Sequence, residues 1–355
     1  MKKNKVLSLF LALIMVLACA FCGISEAAQV GTVVDSKSIS VKQSQGVSKK
    51  GSAYKPSSIK SGNYMYYAVY NKIYKVNVKT KKSTLVYTSK SGFWISDLTV
   101  KDGWIYCVLD KFMGTGGSYP YIFKVKTNGK SAKTLKKGIR PVVYNGNIYY
   151  IKCDFDENDD YYGERNLGLY RMSLSGKNDK CIKKSNAIED FAVYKSKIYY
   201  TKSDGYGSNL YNVSISGGKS KVMVYDIGYN SAGIKIYSDY IYFNYGDGIY
   251  KIKTTSTKKT KVVSNADIRD VSGGYVYYIV DGYDSQSLYK IKISNKSKTF
   301  IKKQELSIGK VTVDGGYMIM TLYNYPNEYS QNNAAEYLCN TNGKNGKILK
   351  RYFVS

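Results

Sequence analysis

Tyr144-Asn-Gly-Asn-Ile-Tyr-Tyr-Ile151, read together with Leu169-Tyr-Arg-Met-Ser-Leu-Ser-Gly176, decides the fold. The first stretch is a turn feeding a β-rich run, and the second is a strand that ends on a turn. The turn-then-strand motif returns as Gly62-Asn-Tyr-Met-Tyr-Tyr67, Gly103-Trp-Ile-Tyr106, Ser196-Lys-Ile-Tyr-Tyr200, Asp239-Tyr-Ile-Tyr-Phe243, Gly274-Tyr-Val-Tyr-Tyr278 and Gly316-Tyr-Met-Ile-Met320. From Met65 through Ile105, Ile148, Ile198, Ile241 and Val276 to Met318 the steps are 40, 43, 50, 43, 35 and 42 residues. A period of this length belongs to propeller blades, and no helical periodicity competes with it.

Each unit reads as four strands, a to d. Strand a is a short apolar run such as Ile188-Glu-Asp-Phe-Ala-Val193, and strand b is the Ile-Tyr-Tyr run. Strand c alternates, with Tyr170, Met172 and Leu174 against Arg171 and Ser173, as a half-buried strand does. Strand d is Lys-rich, as in Lys219-Ser-Lys-Val-Met-Val-Tyr225, and suits an outer edge where charge discourages edge-to-edge pairing. One such sheet cannot bury both its faces, whereas sheets packed around an axis can. The expectation is an all-β chain folded as a single seven-bladed β-propeller over residues 52–355, six or eight blades being the neighbouring counts. A linear β array or two sandwiches is the competing architecture.

Before this domain, Met1-Lys-Lys-Asn-Lys5, the apolar run Val6 to Ile24 and the small residues of Ser25-Glu-Ala-Ala28 read as an export signal over residues 1–28. Val16-Leu-Ala-Cys19 resembles a lipobox, so lipid anchoring at Cys19 competes with free secretion. Residues 29–51 read as a flexible leader that could add a strand to the last blade. The net charge is +28, and removing residues 1–28 leaves +26. That surplus attracts polyanions. With no nucleic-acid-binding motif in an exported chain, the expected partners are an anionic cell-wall polymer or a membrane surface, not nucleic acid. A monomer is expected.

The chain has no His, which removes the common nucleophile triads and the usual imidazole metal ligands. Outside the export signal, Cys107, Cys153, Cys181 and Cys339 show no regular spacing and are read as buried free thiols.

The b–c loops are rich in Tyr, Gly, Ser, Asn and Asp, the residues of adaptable binding surfaces. Tyr119, Tyr161, Tyr162, Tyr206, Tyr283 and Tyr325 are the candidate contacts for a carbohydrate or protein ligand. Turn chemistry alone also selects Gly, Asn and Asp. Asp154, Asp156, Asn158 and Asp160 have the spacing of a calcium loop, although Asp159 replaces its Gly and Arg165 its closing Glu. Calcium is therefore the one possible cofactor. At the start of strand a, Ser96-Asp97, Arg140, Glu189-Asp190, Arg269-Asp270 and Lys310 are placed at the central channel. There they would serve as ligand contacts, as acid–base groups, or as inter-blade ion pairs. The c–d turns each carry Lys, so one face should hold a lysine ring.

Ile198-Tyr-Tyr-Thr-Lys-Ser-Asp204 resembles the Tyr-Trp-Thr-Asp motif of low-density-lipoprotein-receptor-type propellers. Leu169 to Gly176 and Leu210-Tyr-Asn-Val-Ser-Ile-Ser-Gly217 are similar to the second half of that blade. The nearer likeness is to the Tyr-rich propeller repeats of secreted Firmicutes proteins, a domain of unknown function. It implies the fold and is silent on activity. Tyr200 stands where the receptor motif has Trp and Lys202 where it has Asp, so the receptor's Asp hydrogen bonding is not implied. Three roles follow: a non-enzymatic binding module working through the b–c loops, a polysaccharide-active enzyme using channel carboxylates, or an envelope protein docked by its Lys face.

Overall fold

The computed structural model describes residues 59–112, 118–155, 165–228, 233–305, 307–324 and 332–354, and none of these is helical. They form five four-stranded antiparallel sheets and one seven-stranded sheet. The large sheet is two blades sharing one strand. Lys133–Tyr144 pairs through its first residues with Ser118–Lys126 and through its last with Asn147–Asp154. The molecule is thus a propeller of seven blades, at 60–88, 93–137, 138–184, 188–224, 235–264, 267–305 and 307–354.

The shared strand leaves no loop between blades 2 and 3. The chain passes straight through at Gly138, where a Cβ would lie 2.6 Å from the Ile151 carbonyl oxygen. Only glycine lets the strand cross so close to its neighbour.

Five of the a–b hairpins close with two residues that both have positive φ, as at Asp102-Gly103, Asn145-Gly146 and Gly273-Gly274. Their twist matches that of the strands they join. Strand b then runs between two neighbouring blades, so it is apolar throughout instead of alternating. Ile198 packs with blade 3 residues Tyr149 and Ile151, while the next residue, Tyr199, packs with blade 5 residues Ile236 and Ile241. Truncating Ile198 to Ala costs about 2–5 kcal/mol on this account.

The tyrosine doublet divides its hydroxyls in the same way. Tyr199 donates forward to the Thr254 carbonyl in the next blade at 3.3 Å, while Tyr200 meets Ser220 of its own blade at 2.8 Å. Tyr67 and Tyr150 likewise reach Ser83 and Asp179 within their own blades. Each of these four rings fills a joint while its polar tip finds a partner near the rim.

Seven apolar clusters fill the seven joints of the ring. The closing cluster sets Met65, Tyr67 and Val76 of blade 1 against Ile319, Ala334 and Leu338 of blade 7. Asp314 Oδ2 adds a hydrogen bond from the Lys60 amide at 3.1 Å. Blade 7 draws four strands from residues 307–354; the leader at 29–51 and the export signal lie outside the described residues.

All four described cysteines are free. Cys107, Cys153 and Cys339 are buried as expected, but Cys181 is exposed, because it sits on an outer strand with no blade beyond it.

Candidate functional site: the b–c loop face and channel mouth

Two b–c loops share a local design. In blade 4 the loop is Asp204-Gly-Tyr-Gly-Ser-Asn209, and in blade 6 it is Asp281-Gly-Tyr-Asp-Ser-Gln286. Asp204 Oδ1 accepts the amides of Tyr206 and Gly207 at 3.1 Å each, and its Oδ2 accepts Asn209 Nδ2 at 2.9 Å. Those bonds hold its carboxyl below the ordinary aspartate range, with the Tyr206 amide contributing most. In blade 6, Asp281 Oδ1 accepts Gln286 Nε2 at 2.6 Å and the Gly282 amide donates to the Ser285 carbonyl at 2.7 Å. Each turn thrusts its tyrosine fully into solvent: Tyr206 is 95% exposed and Tyr283 101%.

The amide at the end of each loop ties it to the crossover leaving the blade. Asn209 Oδ1 accepts the Asp226 amide at 2.8 Å, and Gln286 Oε1 accepts the Ile308 amide at 2.7 Å. Asn244 Oδ1 likewise accepts the Ile268 amide, while Asn71 Nδ2 donates to the Ser89 carbonyl. In blade 4 the crossover lies close enough that a Cβ on Gly207 would meet Asp226 Oδ1 at 2.9 Å. Tyr225, 71% exposed, begins that crossover. These ties were not read from the sequence; the recurrence of Asp-Gly-Tyr-x-Ser followed by Asn or Gln was the available signal.

The channel candidates come together at one structural feature. The strand-a register slips at Ser96/Thr99, Ile139/Val142, Ile188/Asp190, Ile268/Asp270 and Ile308/Val311. The residues left between these register points include Asp97, Arg140, Glu189, Arg269 and Lys310, together with Leu98, Pro141 and Gly309. A bulge re-aims side chains, here in five blades. Arg140 Nη1 bonds Asp190 Oδ1 at 2.8 Å, while Asp190 Oδ2 accepts the Ile234 amide of blade 5 at 2.9 Å. Asp270 accepts the Val313 amide of blade 7 at 2.7 Å and its neighbour Val271 at the same distance. Asp190 and Asp270 are thus inter-blade pins. Burial raises the Asp270 carboxyl to about 6.

Lys235, unremarked in the sequence, lies buried within the field of Asp190, Asp270, Arg140 and Arg269, and burial lowers its pKa. Glu189 accepts the Ser208 hydroxyl at 2.5 Å, which links the channel mouth to the Tyr206 turn.

Other candidates fall elsewhere. Tyr119 is a correction: it is 1% exposed and stacks on Phe155 at 4.8 Å, so it fills the joint between blades 2 and 3. Asp154 meets Arg165 across the strand pair at 3.3 Å. The other calcium-loop residues, Asp156, Asn158 and Asp160, lie outside the described residues, as do Tyr161, Tyr162 and Tyr325.

No family model matches the sequence, and no curated protein matches it. Solved structures do resemble the fold. A puromycin hydrolase is 9% identical with a TM-score of 0.56, over 91% of this chain and 55% of that one, so the present chain spans about half its length. An oligogalacturonate lyase from Vibrio parahaemolyticus is 10% identical with a TM-score of 0.51, over 66% of this chain and 75% of that one. The nidogen/laminin complex matches at 10% identity and a TM-score of 0.49, over 68% of this chain and 93% of that one, too low a score to carry an argument. At these identities the likeness concerns fold alone, and the activities named belong to those proteins.

Proposed function

We propose that the protein is a non-enzymatic binding module of the cell envelope or its exterior, which takes a carbohydrate ligand on its b–c loop face. The observation that carries this reading is the pair of pinned turns that hold Tyr206 and Tyr283 in solvent. Exposing a large ring forgoes about 1.5–3 kcal/mol of burial, a cost that contact with a ligand recovers. A rigid tyrosine beside Asp, Ser and Gly offers a flat apolar surface with hydrogen-bonding groups at its edge, which suits a sugar ring. Turns fixed in advance lose little entropy on binding. Asp190 and Asp270 are occupied by backbone amides, which favours binding over acid–base chemistry at the channel.

The test is a glycan array and wall-polysaccharide pull-down with the wild type and with the double variant Tyr206→Ala, Tyr283→Ala. The expected result is a glycan hit weakened at least tenfold in the double variant. No glycan hit, a hit indifferent to both substitutions, or a tyrosine-dependent protein partner in place of a glycan would each sink the reading.

A further inference from the structure

The opposite face carries different chemistry. The c–d turns at 78–82, 127–132, 174–179, 215–220, 254–259, 293–297 and 341–346 hold ten lysines, no arginine and one carboxylate, Asp179. That carboxylate is engaged by Lys152 at 2.7 Å and Tyr150 at 2.6 Å. The described b–c loops reverse the pattern, with Asp204, Asp247 and Asp284 and no basic residue. The charge of the turns is therefore sided.

The lysines are also set in place. In five turns a side-chain oxygen accepts the backbone amide of an exposed lysine: Asn77 for Lys79 and Asn128 for Lys130, both at 3.0 Å, and Ser173 for Lys177, Ser256 for Lys258 and Asn342 for Lys344, all at 3.1 Å. Such bonds fix the turn locally, so only the lysine stem remains to be ordered. The wheel uses other lysines as latches: Lys124 donates to the Leu174 carbonyl at 2.7 Å and Lys290 to the Thr341 carbonyl at 2.8 Å. The five capped lysines take part in none of the ion pairs found among the described residues.

We propose that this face docks the protein on a linear phosphodiester polyanion. Lysine is a compact point charge, suited to single charges strung along a flexible chain, whereas planar two-point recognition calls for arginine. No exposed large apolar side chain lies in these turns, so they offer nothing to insert into a bilayer. The repetition around the ring lets a flexible polymer bind in many registers. This proposal is independent of the tyrosine face.

The test uses the full chain on immobilised poly(glycerol phosphate), with binding isotherms from about 50 to 300 mM salt. Four engaged lysines predict a log–log salt slope of about −3, by counterion release from a flexible polyanion. Changing Lys79, Lys130, Lys258 and Lys344 together to Gln should weaken binding at least tenfold and flatten the slope. The exposed lysines Lys72, Lys90, Lys184 and Lys303 lie toward the b–c side. Their conversion to Gln matches the charge change and should alter binding less than about threefold, since their charges are screened from the docked face. Equal losses from the two sets, no binding to the polymer, or equal binding to phosphatidylglycerol vesicles would overturn the proposal. Tyr206→Ala with Tyr283→Ala should leave polymer binding unchanged, so the two faces fail or stand separately; loss of polymer binding in that variant would also overturn it.

Discussion

Glu336 gives this propeller an inverted pH response. Its side chain is fully buried in the third strand of blade 7. Tyr352 donates its hydroxyl to the carboxyl at 2.6 Å, and Thr321 reaches it at 3.3 Å. Burial dominates these bonds and raises the group from 4.5 to about 8. The native state therefore holds the proton more tightly than the unfolded chain. Below the unfolded value both states are protonated and the group contributes no pH dependence. Between the two values only the unfolded chain releases its proton, so stability falls as pH rises and levels off above about 8. At about 1.4 kcal/mol per pH unit the loss is about 3–5 kcal/mol, the lower figure applying if the native value is a unit lower. Glu336→Gln keeps an oxygen acceptor for Tyr352 and removes the titration. Denaturant melts of wild type and variant from pH 4.5 to 9 check this. The stability gap should move in the variant's favour by about 3–5 kcal/mol across that range. Parallel curves across the range would refute the reasoning.

Four further outcomes follow from the same geometry. Gly233→Ala places a Cβ 2.1 Å from Asp190 Oδ2 at a φ of +66, so it should dislodge the pin between blades 4 and 5 and cost about 2–4 kcal/mol in denaturation. The Tyr242 and Tyr278 hydroxyls are buried without a protein partner, so replacing either tyrosine by Phe should leave stability unchanged or raise it. Tyr150→Phe, which strips the bond to Asp179, should cost about 1–2 kcal/mol in the same measurement. Asp204→Ala should leave the melting temperature within a few degrees but free the Tyr206 turn, seen as faster backbone motion by NMR relaxation and weaker glycan binding.

The sequence by itself determined a repeated sheet buried on both faces, and the structure closed it into a wheel. A strand buried on both faces must be apolar at successive positions, so Ile-Tyr-Tyr runs recurring among two-residue turns could belong only to sheets packed on both sides. It also determined the lysine face, because turn residues between strands c and d emerge at one end in every blade. Tertiary structure alone decided which strand-a side chains pin one blade to the next, since each bulge adds a residue that inverts the in–out alternation and leaves no local sequence mark. It likewise decided the fate of individual tyrosines. Tyr119 and Tyr206 stand in similar Gly-rich surroundings, yet one ring lies against Phe155 and the other is carried into water by Asp204. Burial depends on what the neighbouring blade places opposite a side chain, and residues distant in the chain supply it.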